Sequence, residues 1–215
     1  MRVHDRTLAN PHNLSLHIPQ CPIFAYMPNL YIISGCNGAG KTTASLTILP
    51  DILDCREFVN ADNIAAGISP FNVESVAIEA GRIMLHRIAE LLETGVDFAI
   101  ETTLATRSYV SLVHNAKKAG YNVSLIYIWL NSPDLALQRV AERVANGGHN
   151  IPADVVRRRY YKGVRNLFWL FMPICDTWII ADNSLNSLIP IARKESEFEN
   201  IIENNDLWNS INKLL

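Results

Sequence analysis

The sequence predicts an α/β protein: a five-stranded parallel sheet with helices on both faces, P-loop kinase-like in layout, and a helical lid that carries arginines. Three observations carry this expectation. The glycine-rich segment Gly35-Cys36-Asn37-Gly38-Ala39-Gly40-Lys41-Thr42 directly follows the apolar run Leu30-Tyr31-Ile32-Ile33 and precedes an apolar helical pattern at Ala44, Leu46, Ile48 and Leu49. Strand-like runs then alternate with stretches of helical periodicity, as a parallel sheet with crossover helices requires. Seven cations gather between Gln138 and Arg165 against only Glu142 and Asp154, in a chain whose formal net charge is -2.

Taken in order, residues 1–28 contain Pro11, Pro19, Pro22 and Pro28 with little periodicity and read as an irregular lead segment, dispensable for chemistry up to residue 26. Residues 29–215 read as one domain, with the lid over about 139–165. Strands are expected at 30–34, 57–60, 98–101, 123–130 and 177–181. Val73, Val76, Ala77, Ala80, Ile83, Met84, Ile88, Leu91 and Leu92 recur at helical spacing until Gly95 stops the helix. A further helix starts near Ser108, turns Tyr109, Leu112, Val113 and Ala116 inward, and ends at Gly120. Asn131-Ser132-Pro133-Asp134 supplies a cap, a proline for the first turn and an acid suited to the helix dipole. Trp129, Trp169 and Trp178 lie in apolar surroundings and are expected in the core. The acidic, amphipathic stretch over 195–215 reads as a terminal packing helix.

With 19 basic and 21 acidic residues the chain has no global basic field, so nucleic acid and acidic membrane are not expected partners and any anion site is local. Cys21, Cys36, Cys55 and Cys175 show no C-x-x-C spacing, which fits a reducing compartment and argues against zinc or a disulfide framework. No apolar h-region follows the first charges and no run approaches a membrane span, so a soluble cytoplasmic protein is expected.

The glycine-rich loop is a candidate site for the phosphates of ATP. Its glycines let successive backbone N–H groups turn inward around an anion, and the helix opening at Lys41 adds its N-terminal partial charge. Lys41 can reach the β- and γ-phosphates, the Thr42 hydroxyl can ligate Mg²⁺, and Thr43 closes the loop's ATP-binding set. Ligands of parallel sheets bind at the carboxyl ends of the strands, where Asp62 and Glu101 both fall. Asp62 is the candidate base, or else the N-cap of a helix starting at Asn63. Glu101 is the candidate for holding the acceptor or a metal-bound water, or else the partner of a nearby arginine. Asp182-Asn183-Ser184 also reaches the rim, as a site element or an ordinary turn.

Arg139 and Arg143 stand at i and i+4 on one helix face, and the turn Gly147-Gly148-His149-Asn150-Ile151-Pro152 joins them to a helix with Arg157, Arg158, Arg159, Lys162 and Arg165. Such a flap can close over a triphosphate, or it is a solvated charged face. His149 reads as a hinge or capping residue.

With these motifs, and with Phe58-Val59-Asn60-Ala61-Asp62, Gly67-Ile68-Ser69-Pro70-Phe71-Asn72, Glu101-Thr102-Thr103 and Arg157-Arg158-Arg159-Tyr160, the chain resembles the short, single-domain branch of the zeta-toxin family of P-loop kinases. The resemblance implies Mg-ATP as donor, Asp62 as base, acceptor contact by Glu101 with Thr102 and Thr103, and catalytic lid arginines at Arg143 and Arg159, with Arg158 on ATP. A looser likeness to nucleoside-monophosphate kinase lids places Arg139 over the adenine. Well-known members phosphorylate the sugar 3′-hydroxyl of UDP-N-acetylglucosamine and are held off by an antitoxin, so a nucleotide-sugar acceptor and an antitoxin partner are the matching expectations. This chain is shorter, and Thr-Thr follows Glu101 where the longer toxins tend to have Gly-Thr. The rival reading is a nucleotide-gated module that acts on a protein partner without phosphorylating a metabolite. A motor or transporter ATPase is disfavoured, because Asp97 begins its strand instead of ending it.

Overall fold

The computed structural model describes residues 27–195 and 200–215; the lead segment over 1–26, with Cys21, lies outside the described residues. Strand β1 (Asn29–Gly35) is central, with β3 (Phe98–Thr102) on one side and β4 (Asn122–Trp129) on the other. Strand β2 (Glu57–Val59) pairs outside β3, and β5 (Thr177–Asp182) outside β4, all in parallel. These are the five strands expected, but the sheet has seven. Strand β6 (Ile189–Lys194) runs antiparallel to β5, and β7 (Ile201–Ile202) antiparallel to β6, giving the order β2-β3-β1-β4-β5-β6-β7. Pro190 hides β6 in the sequence, since a proline removes a ladder donor. It is accommodated because the β5–β6 register shifts at Ile180/Ala181 and β7 pairs only with Ala192 and Arg193.

Helices cover both faces. Alternation along β1 sends Leu30 and Ile32 into one core with Met84, Ile88, Phe98 and Val113, and Ile33 into the other with Leu49, Ala99, Ile128 and Val140. Helix α1 (Lys41–Asp51) follows the glycine-rich loop, and α2 (Ala61–Ile68) follows β2. A 3₁₀ turn (Val73–Val76) leads into α3 (Ala77–Thr94), which ends at Gly95 in the left-handed conformation (φ 66°). Helix α4 (Ser108–Lys118) buries Val113 and Ala116 as expected. Ser132 caps α5 (Pro133–Ala145) by accepting from Leu135 N, and α6 (Ala153–Asn166) completes the flap.

Several expectations fail for identifiable reasons. The helix after 195 is confined to α7 (Asn205–Asn212), capped by Asn204, because 201–202 join the sheet edge; residues 196–199 lie outside the described set. Ile83 and Leu46 sit at helical spacing but on the outer sides of α3 and α1, 42% and 69% exposed. Trp129 and Trp178 are buried, whereas Trp169 is 67% exposed, because α6 passes into a π turn (Leu167–Phe171) that buries Leu167 and Phe171 instead. Pro28, placed in the lead segment, belongs to the sheet end, where its carbonyl accepts from Asn122 N at 2.9 Å. Among the described residues no helix is long and apolar enough to cross a membrane, and the cysteines Cys36, Cys55 and Cys175 are free and buried.

Candidate active site

The register sets the site. Ile33 lies beside Glu101 and Ser34 beside Thr102, so the end of β3 meets the loop that leaves β1 at Gly35. That loop, through Cys36, Asn37, Gly38 and Ala39, reaches Gly40 at φ 85°, a left-handed conformation that glycine adopts without strain. Gly40 is the N-cap of α1 and makes no side-chain cap, so the first N–H groups of the helix remain free for an anion. A side chain at Gly40 would also come within 2.7 Å of Asn183 Nδ2, which donates to Ala39 O at 2.9 Å and holds the loop from the β5–β6 side. Burial pushes the Cys36 thiol up to about 11 against the lowering pull of Lys41, so it is a neutral packing group.

Glu101 is the hub. Its Oε2 accepts from Thr42 Oγ1 at 2.9 Å and from Asn60 Nδ2 at 2.7 Å, and its Oε1 lies 3.7 Å from Lys41 Nζ. Lys41 Nζ also donates to Cys36 O at 3.1 Å. The alternative of an arginine partner for Glu101 is therefore replaced by a lysine of the loop itself. The capping alternative for Asp62 falls too. Asn60 caps α2, its side-chain oxygen accepting from Asp62 N (2.8 Å) and Asn63 N (3.3 Å), which leaves the Asp62 carboxylate exposed in the first turn.

Asp62 stands where three cavities meet. One of about 290 Å³ lies between the loop and the lid, walled by Lys41, Thr42, Glu101, Arg139 and Arg143. A second, of about 300 Å³, is lined by Asn60, Glu101, Thr102, Thr103, Tyr109 and Arg159. The third, of about 450 Å³, runs under Phe71 and His149. A larger space of about 730 Å³ opens from Gly38 and Thr43 past Arg139 to Asn183 and Leu188. Burial raises the Tyr109 phenol against a lowering hydrogen bond from Thr102, which keeps it a protonated donor at neutral pH.

The lid arginines divide by contact. Arg143 donates to His149 O at 3.1 Å, and its buried Nε has no partner among the described residues, an unsatisfied donor beside the phosphate cavity. Arg159 reaches Asn37 Oδ1 at 3.3 Å and joins lid to loop. Arg139 donates to Asn183 O (2.8 Å), Ser184 O (3.1 Å) and Asn186 Oδ1 (2.8 Å), which fixes it along the larger space. Arg157 pairs with Asp134 at 2.6 Å and ties α6 to α5. Arg158 is exposed and lines none of these four cavities, so the structure does not bring it to the others. Asn60, Tyr109 and Asn183 line the site without having been given a role. An Asn three residues before Asn63 is a cap signal, but nothing local marks Tyr109 as anything but core.

A P-loop at the end of a central parallel strand, two rim carboxylates and an arginine-bearing helical flap define an α/β fold similar to P-loop kinases. The Zeta toxin family model matches residues 17–168, and the chain belongs to that family. An uncharacterized protein of Haemophilus influenzae is 33% identical over 126 residues, 59% of this chain and 88% of its own length. Among solved structures, the fold resembles a chain of the AvrRxo1-ORF1:AvrRxo1-ORF2 complex, solved with sulphate ions (TM-score 0.72) and with ATP (TM-score 0.70), at 18% identity over 87% of this chain. This chain spans 64% of the length of that one. A structure from the PezAT chromosomal toxin-antitoxin system of Streptococcus pneumoniae matches 89% of this chain and 79% of its own, at 18% identity and TM-score 0.62.

Proposed function

We propose that the protein is an ATP-dependent kinase that transfers the γ-phosphoryl group to a hydroxyl of a small molecule, with a nucleotide sugar such as UDP-N-acetylglucosamine as the leading acceptor. The observation that carries this reading is Asp62: relieved of capping by Asn60, its carboxylate faces both the phosphate cavity and the cavity edged by Thr102 and Thr103. A base between donor and acceptor spaces can take the hydroxyl proton as the oxygen attacks. Lys41 and the open amide end of α1 hold the β- and γ-phosphates, and Arg143, with an unpaired buried Nε, and Arg159 neutralise the group in transfer. Glu101, Thr102 and Thr103 bind polar groups of the acceptor, while Arg139 flanks the nucleoside.

Magnesium fits the donor set at this point. Thr42 Oγ1 and Glu101 Oε2 are hard oxygen groups 2.9 Å apart, and no cluster of three or more metal-ligating side chains occurs among the described residues. That suits an ion held by one hydroxyl, phosphate oxygens and waters. When bound, Mg²⁺ supplies charge neutralisation across the β- and γ-oxygens. A protein antitoxin as partner is supported by the family and by the likeness to the PezAT toxin-antitoxin system.

Phosphorus NMR of the protein with Mg-ATP and UDP-N-acetylglucosamine tests the proposal; a new sugar-phosphate resonance is expected. Transfer to a different species in a metabolite extract, read by mass spectrometry, would replace the acceptor and keep the kinase. No transfer to any species, with ATP bound, would favour the nucleotide-gated module.

A further inference from the structure

Alternate residues of the loop between β3 and α4 serve two cavities. Thr106 and Ser108 line the acceptor cavity, whereas Ala105 and Arg107 line another of about 690 Å³, completed by Lys162, Arg165, Asn166 and Trp169. Arg107, Lys162 and Arg165 are exposed, and among the described residues none of them forms an ion pair, while Arg87, Lys117, Arg157 and Arg193 elsewhere all do. Three cations with no acid on the cavity wall concentrate positive potential in a concave space, which attracts an anion. Arg159 in the acceptor cavity, then Lys162 and Arg165, recur every three residues on α6, so one helix side carries charge from the first cavity to the second.

Two further features are independent of charge. The π turn at the end of α6 turns Trp169 out to 67% exposure at the cavity edge while its neighbours Leu167 and Phe171 are buried. An exposed indole beside guanidinium groups is a stacking platform for a planar ring. Leu104 is fully buried at φ 53°, a left-handed conformation that is strained for a leucine. Asn166 Nδ2 donates to Leu104 O at 2.6 Å, and Leu104 N donates to Thr102 Oγ1 at 3.1 Å. The strained residue therefore fixes the Arg107 loop to the end of α6 and to the Thr102-Thr103 edge together.

We propose that this cavity is a second anion site, which binds the nucleoside-diphosphate end of the acceptor: phosphates on Arg107, Lys162 and Arg165, and the base on Trp169. Guanidinium forks match phosphate oxygens two at a time, and the indole reads the ring without demanding a particular base. The assignment of this ligand to the acceptor rests on the kinase reading above. Its consequence is a preference for acceptors that carry a phosphate-linked nucleoside over neutral sugars.

The test is titration of the full chain with uridine diphosphate, followed by tryptophan fluorescence, with circular dichroism to confirm that each variant is folded. Saturable quenching is expected, and uridine alone should bind at least about tenfold more weakly, the loss of one to two charge-assisted contacts. The double substitution Arg107→Ala with Arg165→Ala should weaken uridine diphosphate by about tenfold or more while affinity for a fluorescent ATP analogue stays within about twofold. Trp169→Ala should remove the quench. The proposal is overturned if the double variant binds uridine diphosphate as the parent does, if ATP displaces the probe competitively, or if a glutamate-rich peptide competes equally, which would mark a surface for an acidic protein segment. Uridine diphosphate binding without phosphoryl transfer would remove the kinase reading and leave this site standing. Transfer to a neutral sugar with no binding of uridine diphosphate would do the reverse.

Discussion

Glu101 and Asp62 leave neighbouring strand ends, β3 and β2, and reach the same rim, yet their surroundings differ in every respect that matters for reactivity. Glu101 is 8% exposed at its side chain and engages Thr42, Asn60 and Lys41. Asp62 is exposed, one turn into α2, with its backbone N–H and not its carboxylate tied to Asn60. A carboxylate whose lone pairs are filled by fixed donors positions its neighbours, while one facing open cavities is available to accept a proton. Strand-end placement selects the candidates; hydrogen bonding assigns the roles.

The sharpest break of this contrast is Asp62→Asn. The amide keeps size and polarity but cannot accept the hydroxyl proton, so transfer should fall by about 10²–10⁴-fold with ATP affinity nearly unchanged. Fluorescent-nucleotide titration beside a transfer assay measures both, and near-parental transfer would return Asp62 to a structural role. Arg143→Ala should cut turnover by about 10²-fold, because a lid charge acts most strongly on the group in transfer, whereas Arg158→Ala should stay within about twofold. Equal effects of the two would show that the flap is a general charged face.

Glu101→Gln sharpens the comparison from the other side. If Glu101 chiefly contacts the acceptor, KM for the acceptor rises while KM for ATP holds; if it chiefly orders Thr42 at the metal, the Mg²⁺ concentration needed for half-maximal ATP turnover rises instead. The geometry around Thr42 favours a measurable Mg²⁺ shift of several-fold, about 1 kcal/mol. The smallest effect concerns the buried thiols. Burial lifts Cys36 and Cys55 from 9.0 to about 11. Their folded forms hold protons that the unfolded chain releases, so this contribution is complete below pH 9 and declines as pH rises towards about 11. Urea midpoints measured from pH 8 to pH 10.5 should fall, and Cys36→Ala should flatten the decline.

The five parallel strands were legible because each is a short apolar run delimited by turn residues, and because β1 feeds a loop whose spacing has few uses. Strands β6 and β7 were not, since Pro190 argues against a strand and a two-residue strand carries no period; only pairing with β5 and β6 creates them. Lys41, Asp62, Glu101 and Arg143 could be chosen from strand ends and charge. The contacts that separate their duties join residues 41 and 59 positions apart, which no local spacing reveals. Trp169 misled for a related reason: its apolar neighbours are genuine core, but the helix changes pitch beneath it.

Gly163 lies deep in α6, where an added methyl would stand 2.7 Å from Thr103 O, so the helix touches the loop backbone directly at that residue. An arm pinned near one end sweeps little beside the pin and widely at its tip. Arg159, four residues away, is about 6 Å from the pivot, while Ala153 at the start of the helix is about 15 Å from it. Rotation about Gly163 therefore carries the glycine turn before Ala153 more than twice as far as it carries Arg159, so the entrance can open wide while the arginine beside the reacting groups scarcely moves.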